Sequence, residues 1–462
     1  MKKVTTIVDD RRPAVPEKQM SPAWAVAQSV GTKFLTIGLN AATGIISARA
    51  LMPAGRGELA IMVLWPVFLA SALTLGIPSA LTFQLKRNPS RQSELLGAAL
   101  LMALLTSLLA IGIGLVLVPH WISHYSPRAI LFAQLYLFSA PLTSLLLVGR
   151  AAMESRNDFS SSNKLLLWSP ALTTAWLVVL LATHSITPYN AAAAYVVVGV
   201  VPSVIMMYQL WRMFAPSLRS LWSSSRLLSS YGIRSYGIDL CGTMALYVDQ
   251  ALVVRVLEPK LMGIYVVALS LSRMLNVFHT SVIMVLFPKA VSRTPEAVRD
   301  MTSRSVRMST LLTSIAGLGI IILGPQVLTL LYGAEYQIAT AVLRILVVEV
   351  VLSGATLVLA QAFMALGRPG IVTALQVTGL LLTVPLVVLL TPRFGIVGAG
   401  LALLISTTTR LLFVLLSFPI FLKMRIPGIV PKWGDVSFML GTISKRLALT
   451  KSRGILAADG TD

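Results

Sequence analysis

Runs of about twenty apolar residues, separated by short polar or proline-containing connections, recur along the whole chain. That is the length a helix needs to cross a bilayer's hydrocarbon. The pattern predicts an all-α polytopic membrane protein with twelve spans. Six lie in the first half, at 26–48, 59–83, 96–118, 129–148, 165–183 and 191–211. Six lie in the second, at 235–254, 261–286, 310–331, 341–364, 370–390 and 396–421. The connections are too short to hold an inserted soluble domain.

The halves echo one another. Arg49, Leu51, Pro53 and Gly57 match Arg255, Leu257, Pro259 and Gly263 at a constant offset of 206 residues. Internal duplication in a membrane protein implies two lobes around a central path. The expected organisation is a disordered cytoplasmic tail (1–25), an N-lobe (26–214), an interfacial linker (215–234), a C-lobe (235–421) and a basic cytoplasmic tail (422–462). Segments 218–228 and 433–449 mix aromatic, aliphatic and basic residues, as helices lying on the inner leaflet do.

Composition agrees: 56% of the 462 residues are hydrophobic and 12% charged, with a mean hydropathy of +0.81. A soluble chain carries about 25% charged residues. Residues 1–20 are polar and contain no apolar core, so no cleavable leader is expected there. The single cysteine, Cys241, excludes an internal disulfide. The net charge of +21 would suit nucleic acid, but its distribution argues otherwise. With the N-terminus inside, 28 of the 38 Lys and Arg fall on the inner side, six outside and four within spans. This positive-inside bias predicts both termini in the cytoplasm and attraction to anionic lipid.

The polar residues within the spans carry the candidate chemistry. In the first span Ser29, Lys33, Thr36, Asn40, Thr43 and Ser47 share one narrow stripe at 100° per residue. A lysine in hydrocarbon costs about 2.5–3.5 kcal/mol even on lenient scales. Lys33 therefore either faces a polar cavity or snorkels to the inner surface. Asp239 stands 206 residues beyond it, so a Lys33–Asp239 ion pair is a further reading. Asp239, Thr243 and Gln250 share a face, with Asp249 at its edge. The eighth span aligns Arg273, Asn276 and Thr280, and a guanidinium fork suits phosphate. Glu349, Ser353 and Thr356 form a stripe in the tenth span, while Arg344 points outward. Arg410 suits cavity and interface equally, and His279 reads as a packed histidine. Prolines 66, 78, 141, 170, 202 and 385 interrupt spans and permit bending. No Asp or Glu falls within the six first-half spans. Cation exporters rely on such carboxylates, so an anionic cargo fits better.

The order and spacing of several stretches resemble bacterial polysaccharide flippases. These are SARALMPAGRGELA (47–60), MESRNDFSSSNKL (153–165), YVDQALVVRVLEPKLMGIYVVA (247–268), VLFPKAV (285–291), LLYGAEY (330–336), LRILVVEVV (343–351), ALGRPG (365–370) and GIVGAGLAL (395–403). Over about residues 25–421 the chain is similar to the O-antigen and exopolysaccharide branch of the multidrug/oligosaccharidyl-lipid/polysaccharide exporter superfamily. The resemblance implies two six-helix lobes, related by a pseudo-two-fold axis along the membrane normal, around a central cavity. It implies transfer of a polyprenyl-pyrophosphate-linked oligosaccharide to the outer leaflet of a bacterial inner membrane, without cofactor, beside a polysaccharide polymerase and export machinery. Relatives that flip the peptidoglycan precursor have cavity-lining basic residues in the first and eighth helices, where Lys33 and Arg273 lie. Their two extra helices are missing here, as is the first-lobe acid of the drug-extruding branch.

On this reading the pyrophosphate meets Lys33 and Arg273, and sugars meet Asn40, Thr43, Gln250 and Asn276. A coupling proton or Na⁺ would use Asp239, Asp249 or Glu349. The alternatives are a cation-coupled drug or metabolite antiporter of the same superfamily and, remotely, a membrane glycosyltransferase or polymerase. The last would want catalytic groups on large loops. The short loops and scattered His120, His124, His184 and His279 present no metal, nucleotide or nucleophile constellation.

Overall fold

Proline heads most of the helices, because its fixed φ and missing N–H suit a first helical turn. Pro127, Pro188 and Pro295 each follow a Ser or Thr that caps the helix: Ser126, Thr187 and Thr294 accept from the backbone N–H three residues on. The structure, a computed structural model, describes residues 22–290 and 293–430, with side chains from residue 31 except those of Lys33, Phe159, Ile238, Val285, Pro288 and Lys289. The described residues form thirteen α-helices. The first half holds α1 (Pro22–Ala72), α2 (Ile77–Arg87), α3 (Gln92–Trp121), α4 (Pro127–Tyr136), α5 (Ala140–Ser155), α6 (Phe159–Ala182) and α7 (Pro188–Phe214). The second holds α8 (Leu221–Val256), α9 (Pro259–Arg273), α10 (Asn276–Ala290), α11 (Pro295–Val327), α12 (Thr340–Ala365) and α13 (Pro369–Ser417).

Two helices are too long to be single spans. The 51 residues of α1 would reach ~76 Å as one straight rod. The backbone leaves helical geometry at Met52 (φ 58°, ψ 172°), immediately before Pro53. In α13 it leaves at Gly395 (φ 56°). Among the described residues nine helical stretches are long and apolar enough to cross a membrane, and bent α8 makes a tenth. Dividing α1 and α13 at their breaks gives the twelve spans, two lobes of six.

Details depart from the periodicity. The second span breaks at Leu75 (φ 48°) and Gly76 (φ 71°). Gly76 meets α8 so closely that a Cβ there would lie 2.3 Å from the Gly232 carbonyl oxygen. The eighth span divides between Arg273 and Asn276. The expected linker is not separate, since its helix begins at Leu221 and runs on into the seventh span with a 50° bend. Segment 433–449 lies outside the described residues.

The packing of the lobes differs between the two ends of the bundle. At the end opposite the basic one, both halves contribute to one continuous core, including Leu51, Trp65, Val254, Leu257, Met262 and Tyr336. At the basic end each lobe has its own core, one built around Leu85, Leu95 and Phe214, the other around Val298, Phe363 and Phe418. Polar contacts reinforce the shared end. Trp121 Nε1 donates to the Ala251 carbonyl at 2.6 Å, with the Arg255 guanidinium 4.6 Å from the Trp121 ring centroid. Tyr125 donates to the Leu257 carbonyl at 3.3 Å, and Tyr336 to the Ala48 carbonyl at 3.1 Å. The shared core thus closes the space between the lobes at one end, while at the basic end the cores are separate and α2 meets α8 through Gly76 and Gly232.

Candidate functional site

Two cavities lie between the lobes, and Arg273 lines both. One, of about 200 Å³, is bounded by Asn40, Arg56, Ser270, Arg273 and Tyr332 among others. The other, of about 250 Å³, is bounded by Thr32, Thr36, Asn163, Arg273, Asn276 and Thr280. Arg273 is the last residue of α9, so the divided eighth span delivers its guanidinium at a helix end rather than along a wall.

Asp249 holds that guanidinium in place. Arg273 Nη2 donates to Asp249 Oδ2 at 3.0 Å and Nη1 to the Leu246 carbonyl at 3.0 Å. The Tyr265 hydroxyl donates to the same carboxylate oxygen at 3.3 Å. Asp249 is 1% exposed, whereas the Arg273 side chain is 29% exposed. The acid is thus a buried counter-charge and the base its cavity-facing partner. Two hydrogen bonds leave three of the five guanidinium N–H groups for a ligand. Read from sequence, Arg273 and Asp249 have separate roles; in the structure they form one ion pair.

Arg56 was counted in an outer connection and instead lines the smaller interlobe cavity with Arg273. The cause is the break at Met52. Pro53 starts a new helical segment, and Arg56 sits one turn into it. Its Nε is buried without a hydrogen-bond partner. Pro53 in a helix-starting position was the available signal.

The first-span stripe reaches the cavities in its middle. Thr36 and Asn40 line them, whereas Thr43 and Ser47 are buried. The Thr43 hydroxyl donates to the Leu39 carbonyl at 2.9 Å and shares a hydrogen bond with the Thr174 hydroxyl of α6 at 2.8 Å, so it joins two helices. Lys33 and Ser29 belong to α1, but their side chains lie outside the described ones. Asn276 lines the larger interlobe cavity, and half-buried Gln250 is absent from the walls of both.

The remaining acids sit apart from these walls. Asp239 accepts from Ser79 of α2 at 2.8 Å, its partner among the described side chains, and so ties the two halves near the basic end. Glu349 accepts from Thr407 at 2.7 Å, and Arg410 donates to Ser353 at 3.3 Å, which stitches α12 to α13 inside the second lobe. Arg410 is therefore an interior residue, packed on Gly379. His279 is buried against Gly354, and Arg344 is exposed.

Two pseudo-symmetric six-span lobes about a charged central cavity define a transporter fold. Solved structures of the same fold include lipid II flippase MurJ in an inward closed conformation, with a TM-score of 0.72 and 13% identity over 86% of this chain and 88% of that one. A multidrug resistance MATE family transporter of the MOP superfamily, inward-facing, gives 0.66 and 16% over 84% and 96%. A MOP superfamily transporter from Pyrococcus furiosus gives 0.60 and 15% over 88% and 97%. The chain belongs to the polysaccharide biosynthesis protein family, whose sequence profile matches residues 46–341. It is also 26% identical over 189 residues to the probable low-salt glycan biosynthesis flippase Agl15 of Haloferax volcanii. That match covers 40% of this chain and spans 40% of the length of that relative.

Proposed function

We propose that this protein flips a polyprenyl-pyrophosphate-linked oligosaccharide from the inner to the outer leaflet of the cytoplasmic membrane, by alternating access, in cell-surface or exopolysaccharide synthesis. The observation that carries this reading is the charge of the interlobe cavities. Their walls include Arg56 and Arg273 and no Asp or Glu. Two arginines facing one water-accessible space between lobes suit a pyrophosphate, which can accept from both forks. Membership of the polysaccharide biosynthesis family and the flippase relative support the same cargo class.

In this reading the basic end faces the cytoplasm, as do both termini, and the headgroup enters from that side. The isoprenoid tail stays in lipid. An inside-negative potential favours outward movement of each negative charge by about 2.3 kcal/mol per 100 mV. Sugars contact Asn40 and Asn276, and Lys33 adds a third cation if its side chain shares the cavity. The test is flipping of a lipid-linked oligosaccharide in proteoliposomes. Arg56→Ala and Arg273→Ala are expected to abolish it while the protein stays folded in the membrane. Full transport by both variants overturns the charge assignment.

The acids of the second lobe favour one other reading. Asp239, Asp249 and Glu349 could couple a cation to export of a drug or metabolite, and the MATE-like fold accommodates that chemistry. Proton-driven uptake of cationic dyes into inverted vesicles, with no flipping of the lipid-linked sugar, is the result that favours it.

A further inference from the structure

A cavity of about 560 Å³, larger than either interlobe space, lies within the first lobe. It falls in the usual size range of small-ligand sites, about 300–1,000 Å³. Its walls come from α1, α5, α6 and α7, with Tyr136 at the end of α4, Ser139 just after it and Tyr247 of α8. Pro66 and Pro170, two of the span-interrupting prolines, belong to it, and so does Gly199. A Cβ on Gly199 would meet only Leu142 Cδ1, at 4.0 Å, so the space beside it is open.

The polar groups of the walls fall into two sets. Thr36 returns its hydroxyl hydrogen to the Thr32 carbonyl, Ser139 to that of Tyr136, and Tyr136 donates to that of Tyr189. The hydroxyls of Thr143 and Ser169 make no such bond. Neither they, nor the Asn40 amide, nor the phenols of Tyr195 and Tyr247, have a hydrogen-bond partner among the described residues. Polar side chains in a membrane protein's interior are ordinarily satisfied. These five are not shut away from solvent but turn to one cavity with no protein partner, so all five are free to bond a ligand that enters it.

The charge of the walls narrows the ligand. No lining residue is acidic, and the one cation, Arg150, is paired with Glu154 at 3.3 Å and Ser162 at 3.4 Å. An anion is better served by Arg56 and Arg273, and a cation finds no carboxylate. An isoprenoid chain would leave all five polar groups unpaired, which is unfavourable for each. A sugar ring carries hydroxyls that both donate and accept, with a C–H face that packs on phenol rings. Thr36 and Asn40 line this cavity and an interlobe cavity alike, so the two spaces adjoin. Resting on the lipid-linked-saccharide reading above, we propose that the first-lobe cavity binds an uncharged sugar residue of the cargo, the one next to the pyrophosphate, and so sets glycan selectivity.

The test compares binding of two probes to the full-length protein by native mass spectrometry: polyprenyl pyrophosphate, and the same lipid bearing one sugar. The sugar is a neutral hexose, an N-acetylhexosamine or a hexuronic acid. At least one neutral sugar is expected to tighten binding about tenfold over the bare lipid, and the hexuronic acid to add nothing. Thr143→Ala/Ser169→Ala, Tyr195→Phe and Tyr247→Phe are expected to reduce the sugar's gain, leaving bare-lipid binding as in the wild type. Gly199→Leu, which puts an isobutyl group into the open space beside Leu142, should do the same. Bare-lipid binding with no gain from any neutral sugar, or variants that leave the gain intact, overturns the proposal while the flippase reading stands. Gly199→Leu weakening both probes equally overturns it too, placing the tail there. Binding of neither probe overturns both readings together.

Discussion

Gly57 and Gly263, 206 residues apart, pack backbone to backbone in a reciprocal contact. A Cβ on Gly57 would lie 1.8 Å from the Pro259 carbonyl oxygen, and a Cβ on Gly263 would lie 2.0 Å from that of Pro53. Each glycine thus meets the proline equivalent to its own neighbour in the other half, as residues related by a two-fold axis do. The contact belongs to the sealed end. Because the obstructing atoms are backbone, no rotamer change can relieve the clash.

Gly57→Ala and Gly263→Ala should therefore destabilise the sealed arrangement, by about 1–3 kcal/mol as overpacking usually does. The expected outcome is a shift towards opening at that end. With Cys241 replaced by Ser, a cysteine at Ser270 in the cavity wall reports it. An impermeant thiol reagent added from the sealed side should label the glycine variants faster than the parent. Equal labelling would show that the contact does not govern access.

Removing Asp249 should unfold more than it should disarm. Asp249→Asn leaves the Arg273 guanidinium without its counter-charge, and breaking such a pair costs about 3–5 kcal/mol when fully buried. Arg273 is partly exposed, so the lower end of that range is expected. Thermal unfolding in detergent should fall clearly for Asp249→Asn and recover in part for Asp249→Asn/Arg273→Gln. No recovery in the double variant would argue against the pair as one unit.

Arg273→Lys should not rescue transport lost in Arg273→Ala. The guanidinium reaches Asp249 and the Leu246 carbonyl through separate nitrogens while still presenting N–H groups to the cavity. A single ammonium cannot fill both positions. Flipping at wild-type rate in the lysine variant would mean that charge alone suffices.

Thr43→Val should behave as a packing change. Its hydroxyl bonds across to Thr174, an interhelical link worth about 0.6 kcal/mol on average in membrane proteins. A slightly lower unfolding temperature with unchanged flipping is expected, with Thr174→Val giving the same result. A transport defect at full stability would instead return Thr43 to the cargo path.

The spans and the duplication were legible because both rest on local, periodic properties. A run of twenty apolar residues announces a crossing wherever it occurs, and Pro53–Gly57 against Pro259–Gly263 could be aligned by eye. Side-chain periodicity also indicates which face of a helix is polar, so Thr36, Asn40 and Asn276 were found. It does not indicate how far along the helix that face stays open, and the stripe closes by Thr43. Partner choice was illegible, since Arg273 and Asp249 meet across separate spans. Arg56 was missed because the chain's change of direction at Met52 comes from two backbone angles that composition does not encode. The first-lobe cavity was missed because it is made by what Gly199 and the flanking prolines fail to fill.

The buried partnership of Arg273 has an energetic corollary for the return half of the cycle. With no passenger aboard, the cationic fork already has its neutralising companion inside the same lobe, so this pair adds no net charge to be moved when the vacant carrier resets. On the pyrophosphate-lipid reading, the voltage then acts on the loaded stroke through the cargo's charge, and on the empty return through Arg56 rather than through the Arg273–Asp249 pair.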